Sequence, residues 1–149
     1  MKIFIASDHA GFELKGKLIS FLGGLGHEIV DKGAYEYKPE DDYPDFVAKA
    51  AADVSAAAAS GVRGIVIGGS GQGEAMVANR FSQVRAAVYY GGDPEIVKVS
   101  REHNDSNILA IGARFASEAE AKRAVELWLA TPFSGDERHV RRIAKIDTN

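Results

Sequence analysis

Four short clusters carry the residue types that proton transfer and anion binding need. Gly68–Gly73 places four glycines in six positions, with Ser70 among them and Glu74 directly after. Asp8-His9 and His103-Asn104-Asp105 each put a histidine next to a carboxylate or amide. Arg138, Arg142 and Lys145 recur at i, i+4 and i+7, so a helix there would carry them on one face. Glycines tolerate positive φ and let backbone approach a ligand closely. A helix start after such a turn adds unpaired N–H donors and a positive dipole end, which together favour an anion. Glu74 is a candidate general base at the edge of that cradle, useful when its pKa lies near the working pH. Forked guanidiniums suit phosphate. A small phosphorylated metabolite fits this set, but the set names no reaction.

Each cluster also has a plainer reading. The glycine turn could be only a tight strand-to-helix connection, and Glu74 only a favourable acid in a helix's first turn. Asp8-His9 could simply cap a helix, His103 could be a helix-terminal cation, and the basic face could be solvated surface. His27 and Trp128 read as structural. The spacing Gly69-x-Gly71-x-Gly73 is not the G-x-G-x-x-G of dinucleotide folds, which normally follows the first strand, and no Lys-Ser/Thr pair follows to make a P-loop.

The elements that must position these residues follow from apolar patterning. Continuous apolar runs at Ile3–Ala6, Ile65–Ile67, Ala86–Tyr89 and Ile108–Ile111 suit strands of a parallel sheet buried on both faces, and His27–Val30 reads as one more. Leu14, Leu18, Phe21, Leu22 and Leu25 mark a first helix. Asp31–Asp42 reads as a loop with its acids exposed. Asp42-Tyr43-Pro44 predicts a helix start capped by Asp42, with the helix running to about Ser60. Further helices are predicted to open at Glu74, at Asp93-Pro94 (reaching Glu102) and at the capping box Ser117–Glu120, with a last one over Asp136–Lys145. This alternation predicts a single α/β domain over residues 1–149, a Rossmann-like three-layer sandwich with a five-stranded parallel sheet.

Composition narrows the function class. The chain has 149 residues, a net charge of −3 and no cysteine. Disulfides, thiolate metal sites and a cysteine nucleophile are thereby excluded. The charge argues against nucleic acid as the main partner. Without a signal-like or membrane-spanning apolar run, a soluble cytoplasmic protein is expected, with no membrane partner. The charge is uneven: Glu36–Asp45 carries five acids, whereas Arg138–Lys145 carries four basic side chains and none.

Ligands of such sheets bind beyond the carboxyl ends of the strands. That rim should hold Asp8 and His9 after strand one, Ser70 and Glu74 after strand three, Tyr89 and Tyr90 after strand four, and Arg114 after strand five. His103 and Asn104 end a helix just before strand five and should face the opposite rim, which leaves them misplaced for the same site.

Seven motifs, in order along the chain, resemble the B-type ribose-5-phosphate isomerases, a group that includes galactose-6-phosphate and allose-6-phosphate isomerases. They are Ser7-Asp8-His9-Ala10-Gly11, Asp42-Tyr43-Pro44, Gly69-Ser70-Gly71-Gln72-Gly73, Ala78-Asn79-Arg80, His103-Asn104-Asp105-Ser106-Asn107, Gly112-Ala113-Arg114 and Arg138-His139-x-x-Arg142. Many members carry a cysteine base just before the glycine loop. Here that position is Gly68, and the sequence resembles the branch in which a glutamate after the loop, Glu74, replaces it.

The resemblance implies cofactor-free, metal-independent aldose–ketose isomerisation of ribose 5-phosphate and ribulose 5-phosphate through a cis-enediolate. It implies that Glu74 moves the proton and that His103 opens the sugar ring, with Asp8 assisting. Ser70 and the backbone N–H groups of Gly71, Gln72 and Gly73 would stabilise the enediolate oxygen, and Gly69 would also contact the substrate. Arg114, Arg138, Arg142, His9 and His139 would hold phosphate, and Tyr43 and Asn104 sugar hydroxyls. It also implies a homodimer or tetramer whose sites draw on two subunits. The same chemistry on a hexose 6-phosphate, or a noncatalytic nucleotide-binding or flavodoxin-like module, are the alternatives.

Overall fold

The computed structural model describes residues 1–148. Five strands, β1 (Lys2–Ser7), β2 (Glu28–Asp31), β3 (Arg63–Gly68), β4 (Ala86–Tyr89) and β5 (Ile108–Gly112), form one all-parallel sheet in the order β2-β1-β3-β5-β4. Between them run α1 (Phe12–Gly24), α2 (Pro44–Ala56), α3 (Gln72–Ala78) and α4 (Glu95–Asn104), and β5 is followed by α5 (Glu118–Ala130) and α6 (Glu137–Ile143). The expected α/β three-layer architecture is present.

Strand order decides which helix covers which face. The chain steps from β1 outward to β2, back across to β3, on to the edge at β4, and inward again to β5. Right-handed crossovers then put α1 and α4 on one face and α2 and α3 on the other. The packing agrees, since α5 contacts α1 and α4 while α2 contacts α3. Alternate strand residues feed the two cores. Ile3, Ile5, Ile65, Ile67, Leu109 and Ile111 meet Leu14, Leu18, Leu22, Val97 and Trp128 on the first face. Ala6, Val66, Ile108 and Ala110 meet Val47, Ala50, Ala51, Ala75 and Ala78 on the second, where small side chains let the helices lie close. Trp128 is fully buried and its indole N–H donates to Ser106 Oγ at 2.8 Å, so its role is structural as expected.

Several boundaries differ from expectation for local reasons. Helix α3 opens at Gln72, not Glu74, because Gly71 takes a left-handed φ of 77° and serves as its N-cap. Tyr43, not Asp42, precedes α2, because its backbone is already helical (φ −52°) and Asp42 is left one residue outside. Helix α2 stops at Ala56 and a separate 3₁₀ turn covers Ala58–Ser60. Helix α4 extends to Asn104 and ends on Asp105 in the left-handed region (φ 47°), so His103 and Asn104 belong to its last turn. Helix α6 ends at Ile143, which takes Lys145 off the face shared by Arg138 and Arg142.

Candidate active site

The carboxyl ends of β1, β3 and β5 lie side by side, with Ser7 opposite Ile67 and Gly68 opposite Gly112. Asp8 follows β1 and is buried, 6% exposed. Its Oδ1 accepts the backbone N–H groups of Ala10 (2.9 Å) and Gly11 (3.2 Å), so it tightens the turn into α1. Asp8 thus orders the turn ahead of α1 but does not cap the helix, whose N-cap is Gly11 with no side-chain bond, and its Oδ2 lies 3.9 Å from His9 Nδ1.

After β3, the glycine loop and α3 bring Glu74 back over the strand end. Glu74 is 3% exposed. A Cβ on Gly68 would overlap the Glu74 carboxylate, so that carboxylate fills the volume a side chain at position 68 would occupy. Burial is the main reason its pKa lies above the ordinary carboxylate value, and the Asp8 charge adds to the rise; hydrogen bonds from the backbone of Glu74 and Gly71 oppose it. Sequence could not rank burial against the helix start. In the structure burial wins.

The rest of the rim is built on the same glycine loop and the turn after β1. Tyr43 lies against Gly73, where an added Cβ would come within 2.7 Å of the phenol oxygen. The Arg114 guanidinium lies over Gly69, 3.0 Å from where a Cβ would stand. Ser70 Oγ accepts the Gln72 N–H at 3.3 Å. The Gly71 and Gln72 amides thus have partners inside the loop, and a substrate oxygen would have to take them over. His9 Nδ1 lies 2.7 Å from Asp41 Oδ1, which also accepts the His9 backbone N–H at 2.9 Å.

Asp41 escaped the sequence reading and corrects it: the loop acids were expected to be exposed, yet its carboxylate is only 7% exposed. The only available signal was its place in an acid-rich loop, which does not reveal a partner 32 residues away. Asp8, His9 and Asp41 could offer ligand atoms within 4.8 Å of one another to a cation. The hydrogen bonds they make to one another and to the α1 turn account for that proximity.

The other candidates form a second cluster. His103 and Asn104 at the end of α4 lie at the amino-terminal rim, one strand length away, about 16 Å for the five residues of β5. The expected misfit is real: the fold does not bring His103 to Glu74. Helix α6 packs on α4, and its His139 ring stacks on His103 with centroids 4.4 Å apart and planes 14° apart. His139 was expected among the phosphate ligands, but it is 5% exposed and its Nε2 is buried without a hydrogen-bond partner. Burial, then the adjacent His103, holds its pKa below the ordinary value. It reads as the support under His103. Arg138 and Arg142, on the outer side of α6, are exposed.

This cluster stands on a rigid base. The buried Arg101 guanidinium donates to Asp105 Oδ1 (2.8 Å) and to the carbonyl oxygens of Ser106 (2.5 Å) and Thr131 (3.1 Å). Arg85 donates to Asp105 Oδ2 (2.8 Å) and to the carbonyls of Asn104 and Asp105. Asp105, held between two arginines, fixes the helix end that presents His103. Among the described residues no helix is long and apolar enough to cross a membrane.

Comparison with known proteins identifies the family and agrees with the fold. A family model described as Ribose/Galactose Isomerase matches residues 3–146. The chain is 41% identical over 143 residues to ribose-5-phosphate isomerase B of Mycobacterium tuberculosis H37Rv, covering 96% of this chain and 86% of that protein. It is 37% identical over 145 residues to the Escherichia coli K12 protein of the same name, covering 97% and 93%. The crystal structure of ribose-5-phosphate isomerase B from Mycoplasma genitalium with bound ribulose-5-phosphate superposes with a TM-score of 0.93 at 35% identity, covering 99% of this chain and 94% of that one.

Proposed function

Because the chain belongs to the ribose/galactose isomerase family, we propose that it interconverts ribose 5-phosphate and ribulose 5-phosphate, with Glu74 as the base that moves the proton. The observation that carries this reading is the Glu74 carboxylate itself. It is buried at the end of β3, fills the space over Gly68, and has a pKa raised by burial toward working pH.

In the open-chain sugar, the Glu74 carboxylate takes the C2 proton, and the electron pair released forms the C1–C2 double bond of a cis-enediolate. A proton passes between the two oxygens, and Glu74 returns its proton to C1 to give the ketose. Ser70 and the loop amides face the developing oxyanion, where one donor is typically worth ~3–4 kcal/mol. Arg114 and His9 hold phosphate from the Glu74 side. These steps use a carboxylate, N–H donors and guanidiniums, and none calls for a metal.

Ring opening by His103, sugar contact by Asn104 and phosphate contact by Arg138 and Arg142 need the second cluster, which its own chain holds a strand length from Glu74. We therefore read the working form as a homodimer in which each site pairs one chain's Glu74 rim with the other chain's α4–α6 cluster.

The test is ketose formation from ribose 5-phosphate in excess EDTA, for wild type and Glu74→Gln. A loss of about 10²–10⁴ in kcat with binding retained is expected. Unchanged turnover would remove Glu74 as the base. Faster turnover of allose or galactose 6-phosphate would move the substrate to hexose phosphates. Inactivity of the wild type on all of them would favour a binding module.

A further inference from the structure

We infer that Asp41 is a positioning residue: its carboxylate accepts the His9 Nδ1–H and so aims Nε2 at the phosphate end of the site, where the Nε2–H of the imidazolium form donates to a phosphate oxygen. The inference rests on the proposed isomerase reading for its kinetic consequence, though not for its structural one.

One carboxylate oxygen does two jobs. Asp41 Oδ1 accepts the His9 backbone N–H at 2.9 Å and faces the ring Nδ1 at 2.7 Å. These two bonds fix both the base and the end of the His9 side chain, leaving little rotational freedom. A carboxylate only accepts, so the ring nitrogen facing it must carry the proton; Nε2 is left free to take up a second proton, and only that doubly protonated ring has an N–H to donate to phosphate. The other groups near the ring are the Asp8 carboxylate, whose Oδ2 lies 3.9 Å from Nδ1, and the Tyr37 ring, edge-on at 6.5 Å. Asp8 Oδ1 is already committed to two backbone N–H groups, so Asp41 is the residue that fixes the ring.

Stability alone does not explain this arrangement. The Asp41 carboxylate is 7% exposed and its Oδ2 is buried with no hydrogen-bond partner. A buried carboxylate with one oxygen unsatisfied is costly, and an apolar residue tethering the loop would avoid that cost. The benefit lies in what His9 does next. Asp41 also sits in the long connection between β2 and α2 that ends at Tyr43, so it joins the loop carrying the sugar-facing tyrosine to the turn carrying the histidine.

The experiment combines a double-mutant cycle with side-chain ¹⁵N NMR of the histidines. Asp41→Ala and His9→Ala are each expected to raise KM for ribose 5-phosphate about tenfold with kcat within roughly twofold. Their combination should add little, because Asp41 acts through the ring that His9→Ala removes. The wild-type His9 spectrum should show Nδ1 protonated, and Asp41→Ala should shift the tautomer balance toward Nε2–H. Asp41→Asn retains an acceptor oxygen and should keep most of the wild-type pattern, which separates positioning from simple unfolding. Multiplying KM effects in the double mutant would make Asp41 a loop tether acting through the backbone bond, and an unchanged His9 tautomer in Asp41→Ala would overturn the inference outright. If His9→Ala alone leaves KM unchanged, the phosphate role of His9 fails, while the NMR result still decides whether Asp41 positions the ring.

Discussion

The carboxyl-rim cluster and the α4–α6 cluster hold comparable chemical groups in opposite ways. At the rim the working side chains are themselves buried: Asp8 and Glu74 are 6% and 3% exposed, while Tyr43 lies against Gly73 and Arg114 over Gly69 in the adjoining loop. At α4–α6 the supports are buried, with Arg101 at 3%, Ser106 at 2%, Trp128 at 0% and His139 at 5%, while His103, Asn104, Arg138 and Arg142 point outward. A buried carboxylate is prepared for chemistry in its own chain, because desolvation tunes it. Exposed groups on a braced platform are prepared for something that docks from outside. The difference fits the proposed homodimer, in which each cluster would be half of a site and α4–α6 would serve another copy.

The sharpest way to break that comparison is subunit complementation. Glu74→Gln and His103→Ala, expressed separately, should each fall to a small fraction of wild-type turnover. Co-expressed, random pairing makes half of the dimers mixed, and each mixed dimer keeps one intact site of its two. Activity should therefore return to about a quarter of wild type, measured as ketose formation on purified dimers. A mixture no better than its parents would place both residues in a single-chain site.

Gly68→Ala tests the rim half alone. The new methyl overlaps the Glu74 carboxylate and must displace it. A misplacement of about 1 Å costs on the order of 10²-fold in kcat. KM for phosphate binding should change little, since Arg114 lies over Gly69 instead. An undiminished kcat would show that the position of the carboxylate over Gly68 is incidental.

Arg138→Ala tests the other half with a smaller effect. Arg138 is exposed, its nearest acid is Asp136 at 3.8 Å, and its removal should not disturb the fold. If it reaches a neighbouring copy's phosphate, KM should rise about tenfold with kcat nearly unchanged. Equal KM values would make it solvated surface.

How much of this was readable beforehand follows the same division. The strands were legible because parallel strands buried on both faces are continuous apolar runs, and the glycine loop marks its own turn. The insertion of β5 between β3 and β4 was not, because strand order depends on how helices pack across the sheet and leaves no local signature. Rim residues such as Asp8 and Glu74 were found from their place after a strand. Asp41 was missed because its partner is remote in sequence and lies in another turn. The burial of His139 against His103 was not legible, because sequence does not say which face of α6 packs on α4. The rise in the Glu74 pKa needed the burial itself, which only the packed structure supplies.

That rise also gives the smallest and most specific test. A carboxyl whose folded-state pKa lies above its ordinary value of 4.5 binds its proton more tightly in the native protein than in the unfolded chain. Stability therefore falls as pH rises from that ordinary value through the raised one, and the full penalty is present above both. Glu74→Gln removes the charge and should raise Tm by a few degrees at pH 8, with the gain shrinking to nothing below the ordinary value, where wild-type Glu74 is already neutral. A Tm for Glu74→Gln equal to wild type at every pH would mean that Glu74 pays no burial cost, and the contrast between a tuned rim and a presented platform would fail at its central residue.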